Sequence, residues 1–140
     1  MTAQNFEIIQ DIKFNSAESY NDNSDLVLEC ANFLFKNPAD YKKANRYRAV
    51  SFIINWMQGT PDYTFDISKD AMDLTKGNDE LLGLYMAAMT KTVLDNPDLE
   101  LSGKEIYKRS EKLLVDYCAD PKNNINPSRS IKKILKNRKS

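Results

Sequence analysis

Residues 78–97 read NDELLGLYMAAMTKTVLDNP and contain the most apolar helical segment of the chain. Asn78 suits the N-cap of a helix, because its side chain can accept a hydrogen bond from a free backbone N–H of the first turn. Apolar residues then recur three and four positions apart, which is the spacing of one helical face. They are Leu81, Leu82, Tyr85, Met86, Met89 and Val93. Asn96-Pro97 should end the helix, since the residue before proline avoids the α region.

The segments on either side show similar periodicity and similar stop signals. Residues 24–58 predict a first helical hairpin, interrupted at Asn37-Pro38. Residues 78–118 predict a second hairpin, whose later helix begins at Ser102 and Glu105, the S-x-x-E pattern of a capping box.

Shorter elements complete the predicted fold. Residues 66–76 predict a short helix bridging the two hairpins, and residues 127–140 predict a basic terminal helix. Residues 1–23 are a lead-in that is either a short helix or extended, followed by a polar loop. The 140 residues suit one domain, and only four glycines and five prolines argue against a many-turned β-fold. We therefore predict a single all-α domain, 1–140, of five or six helices.

The second helix of the first hairpin carries an apolar stripe that should face the core. Its members are Ala44, Tyr47, Val50, Ile53, Ile54 and Met57, with Phe52 and Trp56 widening the stripe. The helix should begin near residues 38–40 and end near Gln58. Gly59 then suits a left-handed C-terminal cap, with Pro61 just beyond it.

The two hairpins are alike when one is shifted by about 60 residues. Residues 52–57 read FIINWM and residues 113–118 read LLVDYC, and each first helix ends in Asn-Pro. One interpretation is a helical repeat, a small solenoid-like scaffold with a concave binding side. The other is that two amphipathic hairpins with the same stop signal align this well without being a repeat.

Charge is unevenly distributed, although the net charge is zero. Residues 1–103 hold 9 Lys or Arg and 16 Asp or Glu, whereas residues 104–140 hold 11 and 4. The basic end predicts either a solvated helix terminus or a tail that binds an anionic surface or nucleic acid. The acidic front and the lack of aromatic residues after Tyr117 disfavour nucleic acid as a partner.

Recognisable catalytic, metal and cofactor motifs are missing. There is no histidine, which removes the commonest general base and metal ligand. The glycines stand apart, so the sequence has no phosphate-binding loop, and no zinc or calcium ligand spacing occurs. These absences favour a non-enzymatic protein with no cofactor, ahead of an enzyme using carboxylates and tyrosines. No apolar run approaches the roughly 20 residues of a membrane span.

Cys30 and Cys118 lie one in each hairpin. In an exported protein they could form a disulfide, which would close a long loop. The favoured alternative is two buried thiols that pack as small hydrophobic groups, because both lie on apolar helix faces.

A binding surface is predicted near the connection 60–65, the least helical part of the central region. Tyr63 and Phe65 should be the most exposed aromatics there, and Arg46 and Arg48 come from the preceding helix. These four residues form our candidate binding patch. The leading functional hypothesis is accordingly a module that binds a protein or peptide partner, with an apolar groove between the hairpins.

Two further stretches carry a resemblance. Residues 55–63, NWMQGTPDY, and residues 84–91, LYMAAMTK, resemble segments of small exported helical proteins of Bacteroidetes-type bacteria, as does DYC at 116–118. The resemblance implies a periplasmic or secreted helical domain and brings no activity with it. Met1-Thr2-Ala3-Gln4 likewise resembles the end of a secretory signal, the alternative being the start of a cytoplasmic protein.

Overall fold

The computed structural model of the protein describes residues 1–139, and these residues are all-α with no strand. Eight α-helices are present over that range, more than the five or six predicted. They are α1 (Ala3–Asp11), α2 (Ala17–Asp22), α3 (Ser24–Lys36), α4 (Lys43–Gly59), α5 (Lys69–Leu74), α6 (Asp79–Leu94), α7 (Gly103–Ala119) and α8 (Arg129–Arg138). A short 3-10 turn, Pro121–Asn123, lies between α7 and α8. The additional helices come from the lead-in, which forms both α1 and α2.

Helix α6 is the centre of the fold. It packs against α3, α4 and α7, so it joins the α3–α4 hairpin to the α6–α7 hairpin. Because neighbours cover it on several sides, burial extends beyond the predicted stripe to Leu84, Thr90 and Thr92. Leu82 and Met86, which the periodicity placed inside, are only partly buried.

Polar caps fix the helix ends where the sequence predicted them. The Asn78 side chain accepts a hydrogen bond from the N–H of Glu80 at 2.9 Å and starts α6. Ser102 and Glu105 form the reciprocal capping box at the start of α7, each side chain accepting from the other's N–H at 3.2 Å. These hydrogen bonds from the Ser102 backbone and side chain lower the pKa of Glu105. Gly77, between α5 and α6, has φ +85°, a conformation that glycine adopts readily.

The two Asn-Pro stops adopt the same local geometry. The side-chain amide of Asn37 donates to the carbonyl of Phe33, and that of Asn96 donates to the carbonyl of Thr92, both at 2.8 Å. Each asparagine therefore reaches back four residues and satisfies a carbonyl in the last turn of its helix. The likeness between the hairpins thus extends to how their first helices end.

The lead-in packs on the body through α1, which lies against α4 and buries Phe6 and Ile9. Tyr20, in α2, sits against the C-terminal end of α4, where a Cβ on Gly59 would lie 1.8 Å from the Tyr20 hydroxyl oxygen. The prediction of a left-handed cap at Gly59 is wrong, because Gly59 is still helical and Thr60 is the C-cap. Any larger residue at position 59 would therefore require the Tyr20 ring to move.

Helix α4 begins later and faces the core differently than predicted. It starts at Lys43, after a left-handed Lys42, and its buried residues are Arg46, Ala49, Phe52, Ile53 and Trp56. The predicted stripe was rotated about the helix axis: Tyr47 is 76% exposed, while Val50, Ile54 and Met57 are only partly buried. Much of this stripe therefore lies at the surface.

The short helix α5 connects the hairpins along the chain but packs mainly on α7 and α8. The Ser128 hydroxyl caps α8 and also donates to the carbonyl of Leu74, at the end of α5. Asn78 donates to the carbonyl of Asn126 at 3.1 Å. The beginning of the terminal helix is thus held against the α5–α6 junction.

Candidate functional site

The predicted patch of Arg46, Arg48, Tyr63 and Phe65 is not assembled in the structure. Arg46 is 8% exposed and points into the protein, not toward the connection 60–65. Its guanidinium donates to the carbonyls of Leu34 and Asn37 at 3.0 and 3.2 Å. A further hydrogen bond joins it to the hydroxyl of Tyr117 at 3.3 Å. Arg46 is therefore a structural residue, since it satisfies carbonyls at the end of α3.

The other three patch residues lie in two separate places. Arg48 is exposed and donates to the Asn45 side chain at 2.9 Å. Tyr63 and Phe65 are half-buried, and their ring centroids lie 5.9 and 5.8 Å from that of Trp56. The aromatics of the connection thus cover Trp56, which is 1% exposed. Because Tyr63 and Phe65 pack against the ring of Trp56, both side chains are less exposed than predicted.

Residues of both hairpins lie side by side in an apolar stripe between α4 and α6. Helix α4 contributes Tyr47, Val50, Ile54 and Met57, and α6 contributes Gly83 and Met86; we call these six residues the α4–α6 seam. The early residues of α4 face the early residues of α6, and the late residues face the late ones. The two helices therefore run in the same direction, and the seam continues for about 15 Å at 1.5 Å per residue.

The N-terminal end of the seam opens into a groove of about 330 Å³. Leu34, Val50 and Leu84 form its apolar wall, and Tyr47 stands beside it. A Cβ on Gly83 would lie 3.2 Å from a methyl group of Val50, so the two helices come close at this point. Lys43 and the largely buried Arg46 line the groove on α4, whereas Asp79 and Glu80 line it on α6. The groove is thus an apolar cleft with opposite charges on its two edges.

The C-terminal end of the seam opens into a second depression, of about 490 Å³. Ile54 and Met57 from α4 line it together with Met86 and Met89 from α6, and Phe65 and Ile67 from the segment between α4 and α5 are also part of the lining. Methionine side chains adapt their shape to different neighbours, which is why they recur at surfaces that accept varied partners. Ile67 is 40% exposed.

Other predicted features occupy definite places. Cys30 and Cys118 are free and buried thiols. Over residues 1–139, no three His, Cys, Asp or Glu side chains are arranged to hold a metal ion. In the same range, no helix is both long and apolar enough to cross a bilayer. The basic helix α8 pairs Arg138 with Asp116 at 2.8 Å, which places one of its cations in an internal ion pair.

No protein-family model, curated protein or solved structure matches the chain. The seam itself is therefore the basis for any statement about function.

Five of the six seam residues were predicted to lie in the core, the exception being Gly83. Tyr47, Val50, Ile54 and Met57 were predicted as buried because their spacing is that of an apolar helix face. The one available signal was that α4 carries apolar residues on more than one face, since Ala49, Phe52 and Trp56 mark a second stripe.

Proposed function

We propose that the protein is a helical interaction module that binds an amphipathic helical segment of a partner protein along the α4–α6 seam. The observation that supports this is an apolar stripe of about three helical turns that the fold leaves partly uncovered. Within the seam Tyr47 is exposed, and the other apolar side chains are partly buried. A row of apolar residues that the fold leaves partly accessible is typical of interaction sites, whereas isolated apolar residues are ordinary on a monomer surface. An apolar helix face laid into a groove is a common mode of peptide recognition.

The shape of the two depressions favours a helix as the occupant. They lie at the two ends of one stripe on parallel helices, so side chains one to three turns apart on a partner helix can enter both. The groove of about 330 Å³ has the size of sites that hold compact apolar groups. The exposed Tyr47 beside it is a residue type that often contributes strongly to binding.

The charges at the groove indicate how the partner is oriented. Asp79 and Glu80 are exposed in the first turn of α6, and Lys43 is exposed on the opposite edge. A partner helix should therefore carry a Lys or Arg where it passes α6 and an acid where it passes Lys43. Such charges act mainly on the rate of association and on selectivity, while the apolar contacts supply affinity.

A display library of randomised amphipathic helical peptides tests this function. We expect the selected peptides to share apolar residues at three- and four-residue spacing with a basic residue near one end. Tyr47→Glu and Ile54→Glu should each weaken binding of these peptides by about tenfold or more, because a charge would have to be buried against the apolar face. Affinity is measured by calorimetry on the whole protein.

Met72→Glu is the matched control. Met72 is 62% exposed on α5 and lies outside the seam, so the same charge there should leave peptide affinity unchanged. Circular dichroism and the urea midpoint establish that all three variants are folded. Selected peptides that keep full affinity for both seam variants, or that lose it equally with Met72→Glu, contradict the proposal.

A further inference from the structure

A separate cavity of about 370 Å³ lies between α6, the first turns of α7 and the segment that leads into α5. Three aromatic rings line it, those of Phe65, Tyr85 and Tyr107. The ring centroids of Tyr85 and Tyr107 are 6.2 Å apart with their planes at 49°. The cavity therefore has an aromatic wall, and its volume suits a small ligand.

The hydroxyl of Tyr85 is left unused by the protein. Tyr85 is 1% exposed, and in the part of the chain that the structure describes no group forms a hydrogen bond with its hydroxyl. Its neighbour Tyr107 differs, because the Tyr107 hydroxyl donates to the carboxylate of Glu111 at 2.9 Å. In the described residues, the fully buried hydroxyls without a partner are those of Thr90 and Ser110, so the Tyr85 hydroxyl, which also lacks a partner, opens onto the space of the cavity. An unpaired phenol lining a cavity is therefore an available hydrogen-bonding group for a ligand.

The charge around this cavity is mainly negative. Asp66 and Asp70 line it, and Glu111 lies behind Tyr107. Burial raises the pKa of Tyr85 to about 12, with a smaller contribution from the negative charge of Glu111. The pKa of Tyr107 is raised by burial, by its hydrogen bond to Glu111 and by the charges of Glu111 and Asp70. Both shifts favour the neutral phenol, and the carboxylate of Glu111 contributes to each of them.

One positive side chain, that of Lys104, also lines the cavity. Lys104 and Gly103 belong to the first turn of α7 and are part of the lining. The carboxylate of Glu105 accepts from the Ser102 N–H and hydroxyl, and so places a negative charge at this helix end. The acids Asp66, before α5, and Asp70, on α5, also line the cavity and are exposed. The cavity is therefore most favourable to a cation on its α5 side.

We propose that this cavity binds a small organic ammonium ion. Its alkyl groups pack against the rings of Phe65, Tyr85 and Tyr107, whose electron-rich faces attract a cation. Asp66 and Asp70 supply the counter-charge. The Tyr85 hydroxyl accepts a hydrogen bond from an N–H or O–H of the ligand. This site does not depend on a partner binding at the α4–α6 seam.

Calorimetric titration of the whole protein with choline chloride, at constant ionic strength, tests the proposal. The comparison ligand is the uncharged isostere in which a tert-butyl group replaces the trimethylammonium group. We expect saturable binding of choline with a Kd on the order of 1 mM. The isostere should bind at least about tenfold more weakly, because it lacks the positive charge. Equal binding of the two ligands, or no saturation by choline at about 10 mM, overturns the proposal.

Two sets of variants locate the site. Asp66→Asn with Asp70→Asn should weaken choline binding by about fivefold to tenfold, because the counter-charges are removed. Asp73→Asn is the control, since Asp73 is exposed on α5, as Asp70 is, and does not line the cavity. An equal loss with Asp73→Asn would mean that choline responds only to overall charge, and contradicts the site.

Tyr85→Phe separates the hydroxyl from the ring. It should weaken binding of choline, which carries a hydroxyl group, and leave binding of tetramethylammonium unchanged, since that ion has no hydrogen-bond donor. A capped trimethyllysine, titrated alongside choline, distinguishes a free ammonium ion from a modified side chain as the natural source: tighter binding of the capped residue indicates the side chain, and tighter binding of choline indicates the free ion. Loss of both choline and tetramethylammonium binding in a folded Tyr85→Phe protein would contradict the role of the hydroxyl.

Discussion

Arg46 shows how one residue can hold three helices together. From α4 it donates to two carbonyls at the end of α3, and it also bonds to Tyr117 of α7. The Tyr117 hydroxyl in turn donates to the carbonyl of Asn37 at 2.7 Å. The cation lies at the negative end of the α3 dipole, which favours a positive charge there. A buried charge is thus compensated by carbonyl groups and a phenol.

Replacing Arg46 with Ala should destabilise the fold by about 2–4 kcal/mol, because the Leu34 carbonyl, the Asn37 carbonyl and the Tyr117 hydroxyl each lose the hydrogen bond that the guanidinium donates, although Tyr117 still bonds to Asn37. Arg46→Lys should recover only part of this, since one ammonium group cannot match the geometry of the guanidinium. Arg48→Ala is the control: Arg48 is exposed, so its loss should change the free energy of unfolding by about 0.5 kcal/mol or less. Urea unfolding measures all three. Equal effects of Arg46→Ala and Arg48→Ala would contradict the structural role of Arg46.

At the scale of elements, the basic helix α8 is attached at both ends. Ser128 and the carbonyl of Asn126 tie its beginning to α5 and α6, and Ile131 is fully buried beneath it. Near its other end, Arg138 bonds to Asp116 of α7, which also accepts from Lys112 at 2.8 Å. Partial burial of Asp116 opposes ionisation, but these hydrogen bonds outweigh it and lower its pKa.

The lowered pKa of Asp116 gives α8 a pH-dependent contribution to stability. A carboxyl group whose pKa is lower in the folded state stabilises the fold above its unfolded pKa of about 3.9, and this contribution is lost as the pH falls through the folded value. Asp116→Asn should therefore lower stability at pH 7 by about 1 kcal/mol or less, because the pair is at the surface. The difference from the parent should shrink as the pH falls below the unfolded pKa and through the lower folded pKa of Asp116.

Thermal unfolding of both proteins across this pH range is the measurement. Arg138→Gln serves as the matched change on the partner side and should behave in the same direction. A stability difference that stays constant from neutral to acidic pH would mean that the ion pair does not cause it.

At the scale of the whole molecule, the two hairpins share one core through α6. Cys30 of α3 and Cys118 of α7 are both free, buried thiols within this core. Burial raises the pKa of Cys30 to about 12, with a small further increase from Glu29, and it raises that of Cys118 to about 11. Since the thiolate is the reactive form, neither group should react while the protein is folded.

We therefore expect no reaction of the native protein with a thiol reagent on the timescale of minutes, and two thiols per chain in denaturant. The labelling rate of the folded protein should follow the rate of unfolding, because both groups need the core to open. Cys118→Ala, which should leave one reactive thiol, assigns the signal. Finding no thiols in denaturant would demonstrate a disulfide between Cys30 and Cys118 and contradict this prediction.

Local signals in the sequence were sufficient for most helix boundaries. The Asn78 cap, the Ser102–Glu105 capping box and the two Asn-Pro stops act within four residues of themselves, so their chemistry is the same before and after folding. The all-α class and the two hairpins follow from these signals together with the apolar periodicity. The split of the lead-in into α1 and α2 was missed, because its weak periodicity gives little indication of either helix.

The candidate sites depended on tertiary contacts that periodicity does not contain. Helix α4 has apolar residues on more than one face, and only the packing of α1, α3 and α6 around it decides which face is buried. That packing places Arg46 inside and leaves Tyr47 exposed on the seam. The aromatic cavity likewise joins Phe65, Tyr85 and Tyr107, which are far apart in the chain. The sequence by itself determined the helices and their ends, because those rest on local hydrogen bonds, while tertiary structure decided the surfaces, because burial depends on neighbours distant in sequence.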